Sequence, residues 1–97
     1  MTENIDDITI SYEEDGQLLV DELDKEILTK GAWTTILFRY RQFDNKLNDF
    51  GPDKYMIRRY RKVGGQFRPQ SKFNISSAKQ ARQIVDTLSR WLDENEG

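Results

Sequence analysis

The chain has 97 residues, of which 36% are hydrophobic, so we expect a single domain with a small core. It contains neither cysteine nor histidine. Their absence excludes disulfides, thiolate nucleophiles, imidazole bases and the usual zinc sites. We therefore expect no enzymatic activity, no cofactor and no small-molecule substrate.

The first seven residues are acidic and contain no apolar run, so they do not resemble a signal peptide. No stretch of the chain approaches the roughly 18 consecutive apolar residues of a membrane span. We expect a cytoplasmic protein without a membrane partner, and association with a nucleoid or nucleus stays open.

The net charge of −2 conceals a strong segregation of acids and bases along the chain. Residues 1–24 hold nine acids and no base, and residues 25–82 hold fourteen bases and four acids. Residues 83–97 hold four acids and one base. Nine of the eleven aromatic residues lie in the basic block. A basic body that is rich in aromatic residues is typical of a protein with a polyanionic partner.

The acidic N-terminal region divides the chain into two predicted parts. Its composition predicts that residues 1–24 form a disordered or loosely attached tail, followed by a folded domain over residues 25–97. An alternative remains open, because Ile8, Ile10 and Tyr12 alternate with polar residues and Asp15-Gly16 suits a hairpin turn.

The basic block has the apolar period and the residue types of β-strands. Three strands are predicted, over Trp33–Phe43, Lys54–Val63 and Gln66–Ile75, and Lys25–Lys30 would add a shorter one. Residues 44–53 are rich in turn formers and predict a projecting loop. Gly64-Gly65 predicts a two-residue type I′ turn between the last two strands, because both central positions of that turn need a positive φ.

The C-terminal region predicts a helix over residues 77–93. Its apolar residues follow the spacing of one helix stripe: Ala78, Ala81, Ile84, Val85, Leu88, Trp91 and Leu92. Ser77 with Gln80 forms a capping-box pattern at the start. The predicted fold class is therefore α+β, an antiparallel sheet of about four strands followed by one C-terminal helix.

Strand pairing around Gly64-Gly65 predicts which side chains share a face of the sheet. It places Arg61 directly opposite Arg68. The core face of the last strand would hold Phe67, Phe73 and Ile75. The other face, called the open face here, would carry Arg39, Arg41, Arg59, Arg61, Arg68 and Lys72, with Trp33, Phe43 and Tyr55 among them. We expect no acid to interrupt this surface.

The predicted open face favours binding of single-stranded nucleic acid. Two arginines directly opposite each other destabilise a sheet unless a partner neutralises them. Exposed aromatic rings beside such bases provide stacking platforms for single strands. Single-stranded DNA is the expected ligand, RNA stays open, and transcription or DNA maintenance is the expected process. The alternative is an adaptor that docks an acidic protein on the same face.

The helix stripe carries more apolar surface than one side of a small sheet covers. We therefore predict a homodimer with helix-to-helix contacts through Ile84, Leu88, Trp91 and Leu92.

Three segments resemble the transcriptional positive cofactor 4 family of single-stranded DNA-binding proteins: Trp33–Arg41, Met56–Lys62 and Arg68–Ser76. The resemblance covers roughly residues 25–93. It implies a curved antiparallel sheet that grips single strands, and dimerisation through the helices. The purine-rich-element-binding and Whirly families share the same ββββα order.

The resemblance also implies roles for particular residues. It would put Arg68 and Lys72 on phosphates and either Phe43 or Tyr60 against bases. Tyr60 lies on the core face in the register derived above, so the resemblance and the register disagree about this residue.

Overall fold

The computed structural model describes residues 4–96, with the side chains of residues 4–95. A short 3-10 turn at Ile5–Asp7 precedes the sheet. The strands are β1 (Tyr12–Glu14), β2 (Gln17–Thr29), β3 (Trp33–Asp44), β4 (Asp49–Phe50), β5 (Lys54–Val63) and β6 (Gln66–Ile75), and α1 (Ala78–Glu96) follows.

The strands form one curved antiparallel sheet in the order β1-β2-β3-β5-β6, and β4 pairs with the end of β3. The α+β class with one C-terminal helix is confirmed. The sheet has more than the expected four strands because residues 12–29 supply β1 and the 13-residue β2. The segment predicted as a projecting loop folds back through β4 onto β3.

Two hairpin turns have the backbone geometry that their residues predict. Gly64 and Gly65 have φ values of +58° and +81°. Asp15 and Gly16, between β1 and β2, have φ values of +50° and +79°. Positive φ at both central positions matches the right-handed twist of the flanking strands, so each turn sets the pairing that follows it.

The pairing of β5 with β6 follows the predicted register only as far as Tyr60, which pairs with Pro69. The next residue of β5, Arg59, pairs with Ser71, so Gln70 is the extra residue of a β-bulge. Proline has no backbone N–H to donate to a ladder, which makes this point of β6 a natural place for the irregularity.

The bulge reverses the faces predicted for the second half of β6. Phe73 pairs with Ile57 on the open face and is 52% exposed, so its predicted place in the core is wrong. Ile75 is buried, but it pairs with Tyr55 on the open face. Lys72 pairs with Arg58 and leaves the open face.

The core face of the sheet holds the buried side chains of the middle strands: Thr34, Ile36, Phe38, Tyr40, Met56, Tyr60 and Phe67. Ile8 and Ile10 from the N-terminal region pack against this cluster, and both are buried. The N-terminal segment therefore covers part of the core face.

Polar side chains of β2 fix the same segment. The Lys25 Nζ donates hydrogen bonds to the carbonyl oxygens of Asp6 at 2.8 Å and Ile8 at 2.6 Å. The Glu22 carboxylate accepts from the Thr9 hydroxyl at 2.8 Å and from the Ile10 N–H at 3.2 Å.

The expected boundary after residue 24 therefore falls inside β2. The prediction of a disordered or loosely attached tail is wrong for residues 4–24, and residues 1–3 lie outside the described part. Composition did not predict this because the order comes from tertiary contacts: Val20 and Ile27 of β2 pack against the core cluster, and the charged Glu22 and Lys25 hydrogen-bond to the N-terminal segment.

Helix α1 begins with the predicted cap. The Gln80 N–H donates to the Ser77 hydroxyl at 3.1 Å, and the Gln80 side-chain oxygen accepts from the Ser76 N–H at 2.9 Å. The main contact of the helix with the sheet is at β6. Ile84 is half-buried, whereas Leu88, Trp91 and Leu92 are at least half exposed.

The molecule is extended for a chain of this length. Its radius of gyration is 15.7 Å, compared with about 12.5 Å for a compact domain of this length. Between residues 4 and 96, no helix combines the length and apolar character that crossing a membrane requires.

Candidate functional site

The open face lies opposite the side covered by Ile8 and Ile10. Strand alternation and pairing put eight of the ten predicted nucleic-acid-binding residues on it: Trp33, Arg39, Arg41, Phe43, Tyr55, Arg59, Arg61 and Arg68. These eight residues have different surroundings, which divide the face into distinct regions.

One corner of the open face gathers three arginines around a tryptophan, and we call Trp33, Arg59, Arg61 and Arg68 the basic corner. Arg61 pairs with Trp33 on β3 and with Arg68 on β6. All four side chains are exposed. Among the described residues, none of the three arginines takes part in an ion pair.

Trp33 contacts two of the three arginines of the basic corner. The Arg59 guanidinium lies 4.4 Å from the centroid of the Trp33 ring, and the Arg61 guanidinium lies 5.4 Å from it. Cation–π contacts of this kind hold a guanidinium plane while leaving N–H donors free for an anion. In this arrangement Trp33 holds the guanidinium groups of Arg59 and Arg61, and Arg59 covers part of the Trp33 ring.

Arg39 and Arg41 differ from the basic corner because acids neutralise them. The Arg41 Nε lies 2.9 Å from the Asp21 carboxylate, and the Arg41 guanidinium lies 4.2 Å from the centroid of the Phe50 ring. The Arg39 Nε is 4.0 Å from the Asp53 carboxylate, and Arg39 pairs with Asp24 of β2.

Acids therefore interrupt the open face, contrary to the expectation. Strand β2 places Asp21, Asp24 and Glu26 opposite Arg41, Arg39 and Leu37 of β3. Asp21 and Asp24 fall within residues 1–24, which their composition assigned to a tail, so their position beside β3 was not expected. The alternation in residues 8–12, which suggested the hairpin alternative, was the available signal.

Phe43 supports the short β3–β4 hairpin. Its ring packs edge-to-face on Phe50, with centroids 5.6 Å apart and an interplanar angle of 84°. Both residues are half-buried. Phe43 is therefore committed to an intramolecular contact.

Lys72 and Tyr60, the two remaining predicted residues, lie on the core side of the sheet. Tyr60 is only 3% exposed, so its ring is not available to stack on a base in this conformation. Its hydroxyl has no hydrogen-bond partner among the described residues. Burial raises the pKa of Tyr60 above its ordinary value of 10.0, and the neighbouring Arg58 guanidinium opposes that shift.

An apolar row that the predicted register did not contain crosses the open face next to the basic corner. Leu37, Ile57 and Phe73 are directly paired across β3, β5 and β6. Leu37 and Ile57 are half-buried, and Phe73 is exposed. The row exists because the bulge turns Phe73 to this side.

The β5–β6 hairpin, residues 54–75, contains seven bases and no acid. Within the described residues, no group of three acidic side chains is arranged to hold a metal ion.

Searches of protein-family models, curated proteins and solved structures found no match to this chain.

Proposed function

We propose that this protein binds single-stranded nucleic acid, with DNA as the principal ligand, through the basic corner. The observation that carries the proposal is a set of three exposed arginines that have no acidic partner among residues 4–95; two of them contact one tryptophan ring. Such a protein would act where single strands are exposed, in transcription or DNA maintenance.

Electrostatics supports the choice of a polyanion. Arg61 and Arg68 are directly opposite each other on an antiparallel pair, where like charges are unfavourable. A bound phosphate chain would relieve that repulsion and release counterions. With three phosphates neutralised, the logarithm of affinity falls with the logarithm of salt concentration with a slope of about −2.

The choice of a single strand rests on the shape of the site. The basic corner lies on a sheet. Helix α1, by contrast, carries an exposed apolar stripe, and its basic residues are Lys79, Arg82 and Arg90. Duplex readers usually present a helix or a two-stranded ribbon to the major groove. Duplex DNA of matched sequence should therefore bind more weakly than the single strand.

The chain offers a matched pair of variants for the test. Arg61→Ala with Arg68→Ala removes two bases from the open face, and Lys62→Ala with Lys72→Ala removes two from the other side of the same hairpin. Titrated with oligothymidine at low salt, the arginine pair should weaken binding about 30- to 100-fold, equivalent to about 2–3 kcal/mol. The lysine pair should change affinity less than about threefold.

Each other outcome has a definite meaning. Equal losses in the two pairs would contradict the assignment to the open face. Failure of the wild-type protein to bind any single strand would contradict the function itself. The adaptor alternative, which the exposed Phe73 of the apolar row favours, predicts that failure together with binding to an acidic protein.

The proposal includes a homodimer formed through the apolar stripe of α1. The predicted interface residues are Ile84, Leu88, Trp91 and Leu92. Ile84 is half-buried, whereas Leu88, Trp91 and Leu92, at the far end of the helix, are 50%, 54% and 56% exposed. The large radius of gyration also favours a partner that covers this helix.

Sedimentation at micromolar concentration tests the dimer. The wild type should sediment as a dimer, and Leu88→Asp should dissociate it without unfolding the monomer, because Leu88 is half exposed there. Ser89→Asp adds the same charge at a neighbouring exposed position and is the control. A monomeric wild type would contradict this part of the proposal.

A further inference from the structure

A small cavity opens on the open face beside the basic corner, where β2, β3 and β5 meet. Its volume is about 220 Å³, and its lining residues are Asp24, Lys25, Glu26, Leu37, Arg39 and Tyr55. Pockets for drug-sized ligands measure about 300–1,000 Å³. This cavity therefore suits one planar ring rather than a whole nucleotide.

The walls of the cavity have opposite hydrogen-bonding character. On the β2 side, the Glu26 carboxylate takes part in no hydrogen bond or ion pair with any described residue, and the Asp24 carboxylate accepts the Lys25 N–H at 2.8 Å. On the β3 side lies Arg39, whose guanidinium only donates hydrogen bonds; its Nε lies 4.0 Å from the Asp53 carboxylate, and its terminal N–H groups are the donors offered to a ligand. Leu37 and Tyr55 supply apolar and aromatic surface between them.

The cavity is within reach of a strand bound at the basic corner. Leu37 pairs with Ile57, which lies two residues along β5 from Arg59. Two residues of a β-strand span about 7 Å. A nucleotide whose phosphate contacts Arg59 can therefore direct its base over Leu37.

We infer that this cavity recognises the exocyclic amino group of a base, so that the protein prefers cytosine to uracil or thymine. The inference rests on the proposed function and specifies the ligand of the same face. A carboxylate only accepts hydrogen bonds, and cytosine presents its N4 amino group as a donor. Uracil and thymine carry the O4 acceptor at that position, which a carboxylate repels.

Arg39 completes the complementarity. Once a base amino group faces Glu26, the acceptor atoms of cytosine, N3 and O2, are the groups that a guanidinium can bind. Uracil and thymine place an N3–H donor where cytosine has an acceptor. Both polar walls of the cavity therefore discriminate in the same direction.

The test compares oligodeoxycytidine with oligodeoxyuridine of equal length, since these bases have nearly the same size and differ in the groups at C4 and N3. Titrations at slightly alkaline pH avoid pairing between protonated cytosines. The wild-type protein should bind oligodeoxycytidine about five- to tenfold more tightly, as expected for a charged hydrogen bond to a base edge.

Glu26→Gln is the diagnostic variant, because a side-chain amide donates as well as accepts and so satisfies O4 as readily as N4. The preference should fall well below the wild-type value, and any preference that remains is the part that Arg39 supplies. Glu13→Gln removes the same charge from the exposed strand β1 and should keep the wild-type preference.

Failure of this inference is distinguishable from failure of the proposed function. Equal wild-type affinity for the two oligomers, with both weakened by Arg61→Ala and Arg68→Ala, would overturn the inference and leave the function standing. A full cytosine preference in Glu26→Gln would also overturn it. Absence of binding to either oligomer would overturn the function and the inference together.

Discussion

Strand β2 and the β5–β6 hairpin belong to the same antiparallel sheet but use charge in different ways. Two of the acids of β2 have partners within the chain: Asp21 pairs with Arg41, and Glu22 holds the N-terminal segment. The hairpin has seven bases and no acid, and among the described residues none of these bases forms an ion pair. Charge on β2 therefore contributes to the fold, whereas charge on the hairpin remains available for a ligand.

The largest expected effect concerns the acidic N-terminal region that β2 holds in place. Ile8→Ala should lower the free energy of unfolding by about 2–4 kcal/mol, because it removes a buried side chain from the core cluster. Urea denaturation measures this change. Asp7→Ala, at an exposed neighbour, is the control and should have little effect. A neutral Ile8→Ala would mean that the segment is a loose tail after all.

Lys25 is the one base of β2, and it also holds the N-terminal segment. Lys25→Met retains most of the side-chain stem and removes the charged hydrogen bonds to the carbonyl oxygens of Asp6 and Ile8. We expect the free energy of unfolding to fall by about 1–2 kcal/mol. Lys30→Met, at an exposed position just after β2, serves as the comparison in the same urea titration. Equal effects of the two changes would show that the two hydrogen bonds contribute little.

The acids of β2 should limit how far a bound strand extends over the open face. Asp21→Asn frees Arg41 for a phosphate, and Asp24→Asn removes a negative charge from the strand position opposite Arg39, so the double variant should bind oligothymidine about fivefold more tightly at low salt. Glu13→Gln with Glu14→Gln removes the same charge from β1. If both pairs raise affinity equally, net charge rather than the pairing of β2 with β3 is responsible.

The smallest expected effect at neutral pH comes from Tyr60, beneath the hairpin. Its hydroxyl has no hydrogen-bond partner among the described residues, so Tyr60→Phe should change the free energy of unfolding by less than about 1 kcal/mol. Exposed Tyr12 gives the control, Tyr12→Phe.

Alkaline pH should separate these two variants. Because burial raises the pKa of Tyr60 in the folded state, the unfolded chain loses this proton first, and stability falls as pH rises above 10.0. Tyr60→Phe removes that part of the loss. Tyr40, whose pKa burial also raises, keeps the remainder. Identical alkaline profiles for wild type and Tyr60→Phe would contradict the burial of this ring.

Several elements were predictable because their determinants are local. The bounds of β5 and β6 agree with the alternation of their residues, and Gly64-Gly65 forms the expected turn between them. The helix and its Ser77 cap follow from apolar spacing and capping chemistry. Of the candidate site, the grouping of Arg61 with Arg68 was predictable because both lie within four residues of that turn.

Tertiary structure decided which residues share a surface. One bulge at Gln70 placed Lys72 on the core side and Phe73 on the open face, each opposite to its predicted face, because a shift of one residue reverses every later side chain of a strand. Pairing of β2 with β3 placed acids beside Arg39 and Arg41. Sequence by itself determined the elements and the segregation of charge along the chain. Only the contacts between strands distant in sequence determined which charges are neutralised and which remain free.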